Sequence, residues 1–240
     1  MLGRQSIYVW SFSCVLLSTS SLSCTQPSTI SPLTDLTTPS ESPSGKPPQA
    51  PIIRIETDMH IARISSIGVD DAGQYLVTAS DDKTLRVWEL ETGRLLRVFR
   101  PPIGQGNEGK MYAAAISPDG TIVAGAGWSG LEWDGAHSIY LFDRASGRML
   151  KRITGLPQSI PHVAFSPDGR VLLATFHGKQ GVRFYATADG RLLAEDRAYQ
   201  AETYGASFDQ SGRVVTASYD GLLRLYSRDF RLLAQASVPE

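Results

Sequence analysis

From residue 60 onward, apolar and polar positions alternate or run in short blocks broken by turn residues. Blocks of this length read as β-strands rather than helices. In the first stretch the pattern predicts strands near 63–69, 75–80, 84–89 and 94–99, with "DDAGQ", "DDK" and "ETG" between them. No later segment keeps a helical period over ten residues, so the pattern predicts an all-β domain.

The pattern then repeats. "LRVWELETGRLL" at 85 has counterparts in "IYLFDRASGRML" at 139, "VRFYATADGRLL" at 182 and "LRLYSRDFRLL" at 223. Upstream lie "ISSIGVDDAGQYLVTAS", "MYAAAISPDGTIVAGAG", "IPHVAFSPDGRVLLATF" and "TYGASFDQSGRVVTAS". The turn glycines Gly73, Gly120, Gly169 and Gly212 are 47, 49 and 43 residues apart. In "SPDG", Pro118 and Pro167 preset φ for a turn, and the glycine accepts positive φ. Four units of four strands follow, at about 60–100, 106–154, 159–198 and 200–236.

These units resemble WD repeats, the blades of a β-propeller. The resemblance covers residues 60–240 and is sharpest in the first unit, "H…SDDKTLRVW". It implies a buried hydrogen-bonded tetrad of His60, Ser80, Asp82 and Trp88. The chemistry suits the part: an indole only donates, a hydroxyl does both, and an imidazole links a hydroxyl to a carboxylate. The rival reading is a Ser-His-Asp triad, but this set inside a repeat, ending on Trp, reads as structure. Later units put Phe142, Tyr185 and Tyr226 at the Trp position. The fourth keeps Ser218 and Asp220 with Tyr199 in place of the histidine, and the third has Phe176 at the serine. Less polar bracing is expected in those blades.

Propellers remove sheet edges by closing a ring. Four units, preceded by a lone strand "PIIRIET" (51–57), fit three arrangements: a truncated longer propeller, a four-bladed ring, or self-association that completes the ring. Residues 51–240 are thus read as the WD-repeat blades. Residues 24–50 are a Ser/Thr/Pro-rich linker with too little apolar surface to offset ordering entropy. Residues 1–23 read as a signal peptide, with Arg4 before the apolar run "IYVWSFSCVLL". The run "STSSLSC" resembles a bacterial lipoprotein signal, with Cys24 as the lipidated residue and Ser21 departing from the usual aliphatic. The expected location is exported: periplasmic, or anchored to a membrane as a lipoprotein.

Within each unit the a–b and c–d turns are tight and alike, while the d–a and b–c connections vary. The second unit inserts "WSGLEWDGAH" (128–137) between strands b and c. Two indoles in a glycine-rich loop read either as packing within the loop or as a partner-binding patch of Trp128, Glu132, Trp133, Asp134 and His137. Asn107 and His177 are expected on the same rim. Glu132, Asp134 and His137 are also a conceivable metal set, but none is assigned.

Net charge is −1, which supplies no basic field for nucleic acid. The two cysteines, Cys14 and Cys24, give no disulfide framework. "GQGNEG" precedes a strand and not a helix, so the dinucleotide reading fails. No cofactor and no catalytic residue is assigned. The reading is a non-enzymatic scaffold for protein–protein interaction on the bacterial envelope side. Two alternatives stand beside it. One is a glycan- or small-ligand-binding propeller with Trp128 and Trp133 as stacking platforms. The other is the repeat region of a protein that has lost a fused catalytic domain.

Overall fold

The computed structural model describes residues 58–237. The signal, linker, lone-strand and Cys24 readings lie outside the described residues. Sixteen strands and a single helical turn make up the described chain. Blade 1 is β1 (Ile64–Val69), β2 (Tyr75–Ser80), β3 (Leu85–Glu89) and β4 (Leu95–Phe99). Blade 2 is β5 (Lys110–Ile116), β6 (Ile122–Trp128), β7 (His137–Asp143) and β8 (Met149–Leu156), with the turn α1 (Leu131–Asp134) inserted after β6. Blade 3 is β9 (His162–Phe165), β10 (Val171–Thr175), β11 (Val182–Ala186) and β12 (Leu192–Asp196). Blade 4 is β13 (Thr203–Phe208), β14 (Val214–Ser218), β15 (Leu222–Tyr226) and β16 (Leu232–Ser237). Each blade is one antiparallel meander with its strands in sequence order. The four-unit, all-β reading is the observed architecture.

The turns form as the spacing predicts. Gly73, Gly120, Gly169 and Gly212 all have positive φ. Their amides donate to the carbonyls three residues earlier, of Asp70, Ser117, Ser166 and Asp209, at 2.8–3.0 Å. A side chain with Cβ is strained at that φ, so glycine closes each a–b turn.

Register defines two faces on every blade, since directly opposed residues of antiparallel strands share a face. On blade 1, Val77 opposes Val87 and Ala79 opposes Leu85 on the forward face, and Leu76 opposes Trp88 on the rear face. The forward pairs recur as Ala124/Leu141, Leu173/Phe184 and Val215/Leu225. The rear pairs recur as Val123/Phe142, Leu172/Tyr185 and Val214/Tyr226.

Each forward face packs on the next rear face. Val77, Leu85 and Val87 meet Met111, Val123, Tyr140 and Phe142. Ala124, Ile139 and Leu141 meet Val163, Leu172, Phe176 and Tyr185. Leu173, Val182 and Phe184 meet Tyr199, Val214 and Tyr226. The core is these three junctions, and each fully buried aliphatic or aromatic side chain in them contributes roughly 1.5–3 kcal/mol. None of the three clusters joins blade 4 to blade 1.

Candidate partner-binding site

The polar network of blade 1 differs from the expected tetrad in one member. Trp88 Nε1 donates to Thr78 Oγ1 at 2.9 Å, and His60 Nε2 lies 2.7 Å from that same oxygen. His60 Nδ1 lies 2.8 Å from Asp82 Oδ2. A carboxylate only accepts, so Nδ1–H donates to Asp82, and Nε2 accepts the Thr78 proton. The chain runs Trp88 to Thr78 to His60 to Asp82. Ser80 is outside it: its hydroxyl donates to the Ala62 carbonyl at 3.3 Å and accepts the Asp82 amide at 3.1 Å. Thr78 faces the rear with Trp88, whereas Ser80 ties off the b–c turn. Burial alone would raise the Asp82 carboxyl. Hydrogen bonds from His60 and Thr84 outweigh that and hold it well below the usual carboxylate range.

Blade 4 is braced as heavily, contrary to the expectation from its missing histidine. Tyr226 OH donates to Asp196 Oδ2 at 2.8 Å. Tyr199 OH lies 2.8 Å from Tyr226 OH and 2.7 Å from Thr216 Oγ1. Because Tyr226 spends its proton on Asp196, the chain runs Thr216 to Tyr199 to Tyr226 to Asp196. Asp220 instead pairs with Arg224 at 2.7 Å, and the guanidinium lies over the Tyr199 ring at 3.9 Å. The blade 4 network ties β12 of blade 3 to blade 4 through Asp196, and the blade 1 network braces its own sheet behind a half-buried Trp88.

The open surface is a cleft of about 860 Å³ where the d–a and b–c connections of the four blades converge. Tyr112, Trp128, His177, Tyr204, Glu202 and Arg63 give it its chemistry. β-Bulges place two of the aromatics. The inner-strand pairing slips between Ile64 and Ser66, between Met111 and Ala113, and between Thr203 and Gly205. The skipped residues are Ser65, Tyr112 and Tyr204, and all three line the cleft. Pro161, just before β9, is the matching position of blade 3 and lines it too. A bulge turns one side chain out of the sheet's alternation. Here it turns them toward the common opening.

His177 is fixed at the centre of a polar chain. Tyr204 OH donates to Glu202 Oε2 at 3.0 Å, so it accepts from His177 Nε2, also at 3.0 Å. His177 Nδ1 is then the acceptor for Ser159 Oγ at 2.7 Å. Burial lowers the His177 pKa, against the opposing pull of Glu202. Ser159 is largely buried in the cleft wall, and its hydroxyl braces the imidazole. The ring stands edge-on to Tyr204 at 5.1 Å and to Tyr112 at 6.3 Å. Arg63 pairs with Asp81 at 3.4 Å, and Glu202 is the carboxylate that lines the cleft.

Of the residues expected to bind a partner, Trp128 and His177 line the cleft. His137 is buried beneath Trp128, ring centroids 5.3 Å apart, and its pKa is lowered by burial and by the nearby His177. Asp134 pairs with Arg152 at 3.0 Å. Glu132 lies against Gly104, where a Cβ would collide with its carboxylate. Trp133 sits within α1, and Asn107 is on an exposed turn. The inserted loop is thus a buttress rather than the centre of the surface. Its anchor is Glu108, which the sequence did not single out. The buried Glu108 carboxylate accepts the Gly130 amide at the start of α1. Tyr112, Tyr204 and Glu202 were missed as well. The signal lay in the repeat alignment: Ser65, Tyr112, Pro161 and Tyr204 form one column.

Residues 55–89 match the family "WD domain, G-beta repeat". A ribosome biogenesis protein BOP1 homolog of Monosiga brevicollis is 62% identical over 39 residues, 16% of this chain and 5% of the relative. Transcription initiation factor TFIID subunit 5 of Caenorhabditis elegans is 29% identical over 159 residues, 65% of this chain and 22% of that protein. Human transducin beta-like protein 3 is 29% identical over 114 residues, 47% of this chain and 13% of that protein. The chain therefore spans less than a quarter of the length of each. Together with four four-stranded antiparallel sheets, the match supports the WD-repeat family and a propeller-blade fold.

Proposed function

We propose that the chain is a non-enzymatic WD-repeat scaffold that takes a cationic side chain of a protein partner into the four-blade cleft. The observation that carries this is the bulge-presented pair Tyr112 and Tyr204 beside Glu202 in one opening. Aromatic faces and a carboxylate together favour a guanidinium or ammonium group. Proteins similar to this chain include a transcription initiation factor subunit, which agrees with a role among protein partners. Placement on the envelope side rests on the signal-like residues 1–24.

The test is selection of a displayed peptide library on the full chain, followed by binding to a Tyr112→Ala/Tyr204→Ala variant of unchanged melting. Selected peptides are expected to share Arg or Lys, to lose at least tenfold in affinity for the variant, and to bind more weakly as salt rises. Peptides that bind the variant equally well would remove the cleft from the reading. Glycan-array binding that depends on the same two tyrosines would put a carbohydrate in the partner's place.

A further inference from the structure

Among the described residues, His177 is the imidazole in the cleft lining, and its two ring partners fix which proton it carries. Tyr204 OH spends its proton on Glu202 Oε2, so His177 Nε2–H donates to Tyr204 and Nδ1 takes the Ser159 proton. The geometry holds the ring in its neutral Nε2–H form, with one acceptor for each proton along Ser159, His177, Tyr204 and Glu202. A second proton has to go on Nδ1. Ser159 Oγ stands there at 2.7 Å with its own proton aimed at the same lone pair, so the hydroxyl must turn and accept instead. The new charge then lies one tyrosine away from Glu202, the carboxylate of the cleft. The other groups around the ring do not cancel it. Tyr112 of β5 and Tyr204 of β13 are phenols whose pKa is raised, by burial first, so both stay neutral in acid. Arg63 and Asp81 are paired with each other beside β1. His137 of β7, beneath Trp128, is a second imidazole, and a charge there would add to that of His177. Lys179, in the same turn as His177, is a further cation, exposed and outside the lining.

We infer that His177 gates the cleft by pH: with the imidazole neutral the opening accepts a cationic side chain, and with it protonated the same opening turns cations away. The inference rests on the reading of the cleft as a cation site and adds its regulation. A cation held on an aromatic face sits within about 6 Å of the ring centroid. The His177 ring is 6.3 Å from the Tyr112 ring and 5.1 Å from the Tyr204 ring, so its charge would stand beside whatever those faces hold. Like charges that close repel more strongly in a partly dry opening than in bulk water. Protonation also sets a positive charge against Glu202, the group that draws the cation in. Burial is the largest influence on His177 and lowers its pKa, so the ring is neutral at pH 7 and charges on the acid side of the ordinary histidine value of about 6.5. Glu202 pulls the other way and favours the charged form. Histidine is the side chain suited to a change of this kind just below neutrality.

The experiment titrates the full chain with one cationic probe, N-acetyl-arginine methylamide, at about pH 7.5 and about pH 5. The ring resonances of Tyr112 and Tyr204 report binding, and the His177 imidazole signals are titrated in parallel. Wild type is expected to bind the probe at least about threefold more weakly at the lower pH, with the loss centred on the midpoint of the His177 titration. His177→Gln keeps an amide N–H near the place of Nε2–H and carries no titrating group. Whatever its affinity, its ratio between the two pH values is expected to fall below about twofold. Thermal melts at both pH values check the fold, and His177→Asn, whose amide lies near the place of Nδ1, is the second variant should His177→Gln fail that check. Equal wild-type binding at the two pH values would overturn the gate and leave the cation reading standing. So would an imidazole that stays neutral at the lower pH. A loss that persists in both variants would place the effect on Glu202 or His137 and would overturn the assignment to His177. Tyrosine resonances that the probe moves at neither pH would overturn the cation reading itself, and the gate with it.

Discussion

At the scale of single residues, the position of a hydroxyl decides what it does. Thr78 and Ser80 lie two residues apart on β2, both buried and on the same face as Trp88, yet only Thr78 reaches both the indole and the imidazole. The sequence showed a Ser, a His, an Asp and a Trp at family spacing, and Ser80 was the hydroxyl beside the turn. Register against β3, which the sequence does not display, separates the two. Thr78→Val removes the hydroxyl while keeping the shape, leaving the Trp88 N–H and His60 Nε2 without their shared partner. It is expected to lower stability by about 1–3 kcal/mol. Ser80→Ala removes bonds to two backbone groups in the b–c turn and is expected to cost about 1 kcal/mol or less. Urea melts of the two variants give the comparison. A larger loss for Ser80→Ala would place the central hydroxyl at Ser80 after all.

At the scale of the blade, the same column explains which sheets carry a network. Pairing across strands b and c puts Gly125, Ala174 and Thr216 where blade 1 has Thr78. Blades 2 and 3 have no hydroxyl there. In blade 2 even a Cβ is excluded, because Leu85 of the neighbouring blade fills the space. Blade 4 regains the hydroxyl and builds a tyrosine chain on it, which could not be read from a lost histidine alone. Its Asp220–Arg224 pair makes the blade respond to acid. The Arg224 hydrogen bond is the largest cause that holds the Asp220 pKa down at about 2, against burial that would raise it. A carboxylate depressed in the folded state stabilises it above the unfolded pKa of about 4, and that contribution fades as pH falls toward the folded value. Asp220→Asn is therefore expected to melt below wild type at pH 7, with the gap narrowing between about pH 4 and about pH 2. Thermal melts across that range measure it. A gap of constant size would show that the ion pair is not what the variant removed.

At the scale of the whole molecule, periodicity alone was enough for the blades, because turn glycines 43–49 residues apart and period-two strands are local signals. The cleft was less legible. Tyr112 and Tyr204 belong to inner strands, where alternation assigns them to a sheet face, and only the bulges turn them toward the opening. The tryptophan-rich insertion drew attention by composition, yet Glu108, Asp134 and Gly104 tie it to its own blade. The N-terminal segment belongs to the same scale, since its signal-like residues carry the expectation of export. Small residues run into Cys24, and a stretch rich in Ser, Thr and Pro follows, with seven of the chain's 14 prolines in residues 25–51. Acyl chains bind a bilayer by about 0.8 kcal/mol per buried CH₂, and stable attachment needs more than one chain. Expressed in a bacterium that lipidates exported proteins, the full chain is expected in the membrane fraction, resistant to salt and released by detergent. Cys24→Ser is expected in the soluble fraction with unchanged melting, because the residue is remote in sequence from every blade. Wild type that is already soluble, or a serine variant that stays with the membrane, would show that no lipid at Cys24 holds the protein there.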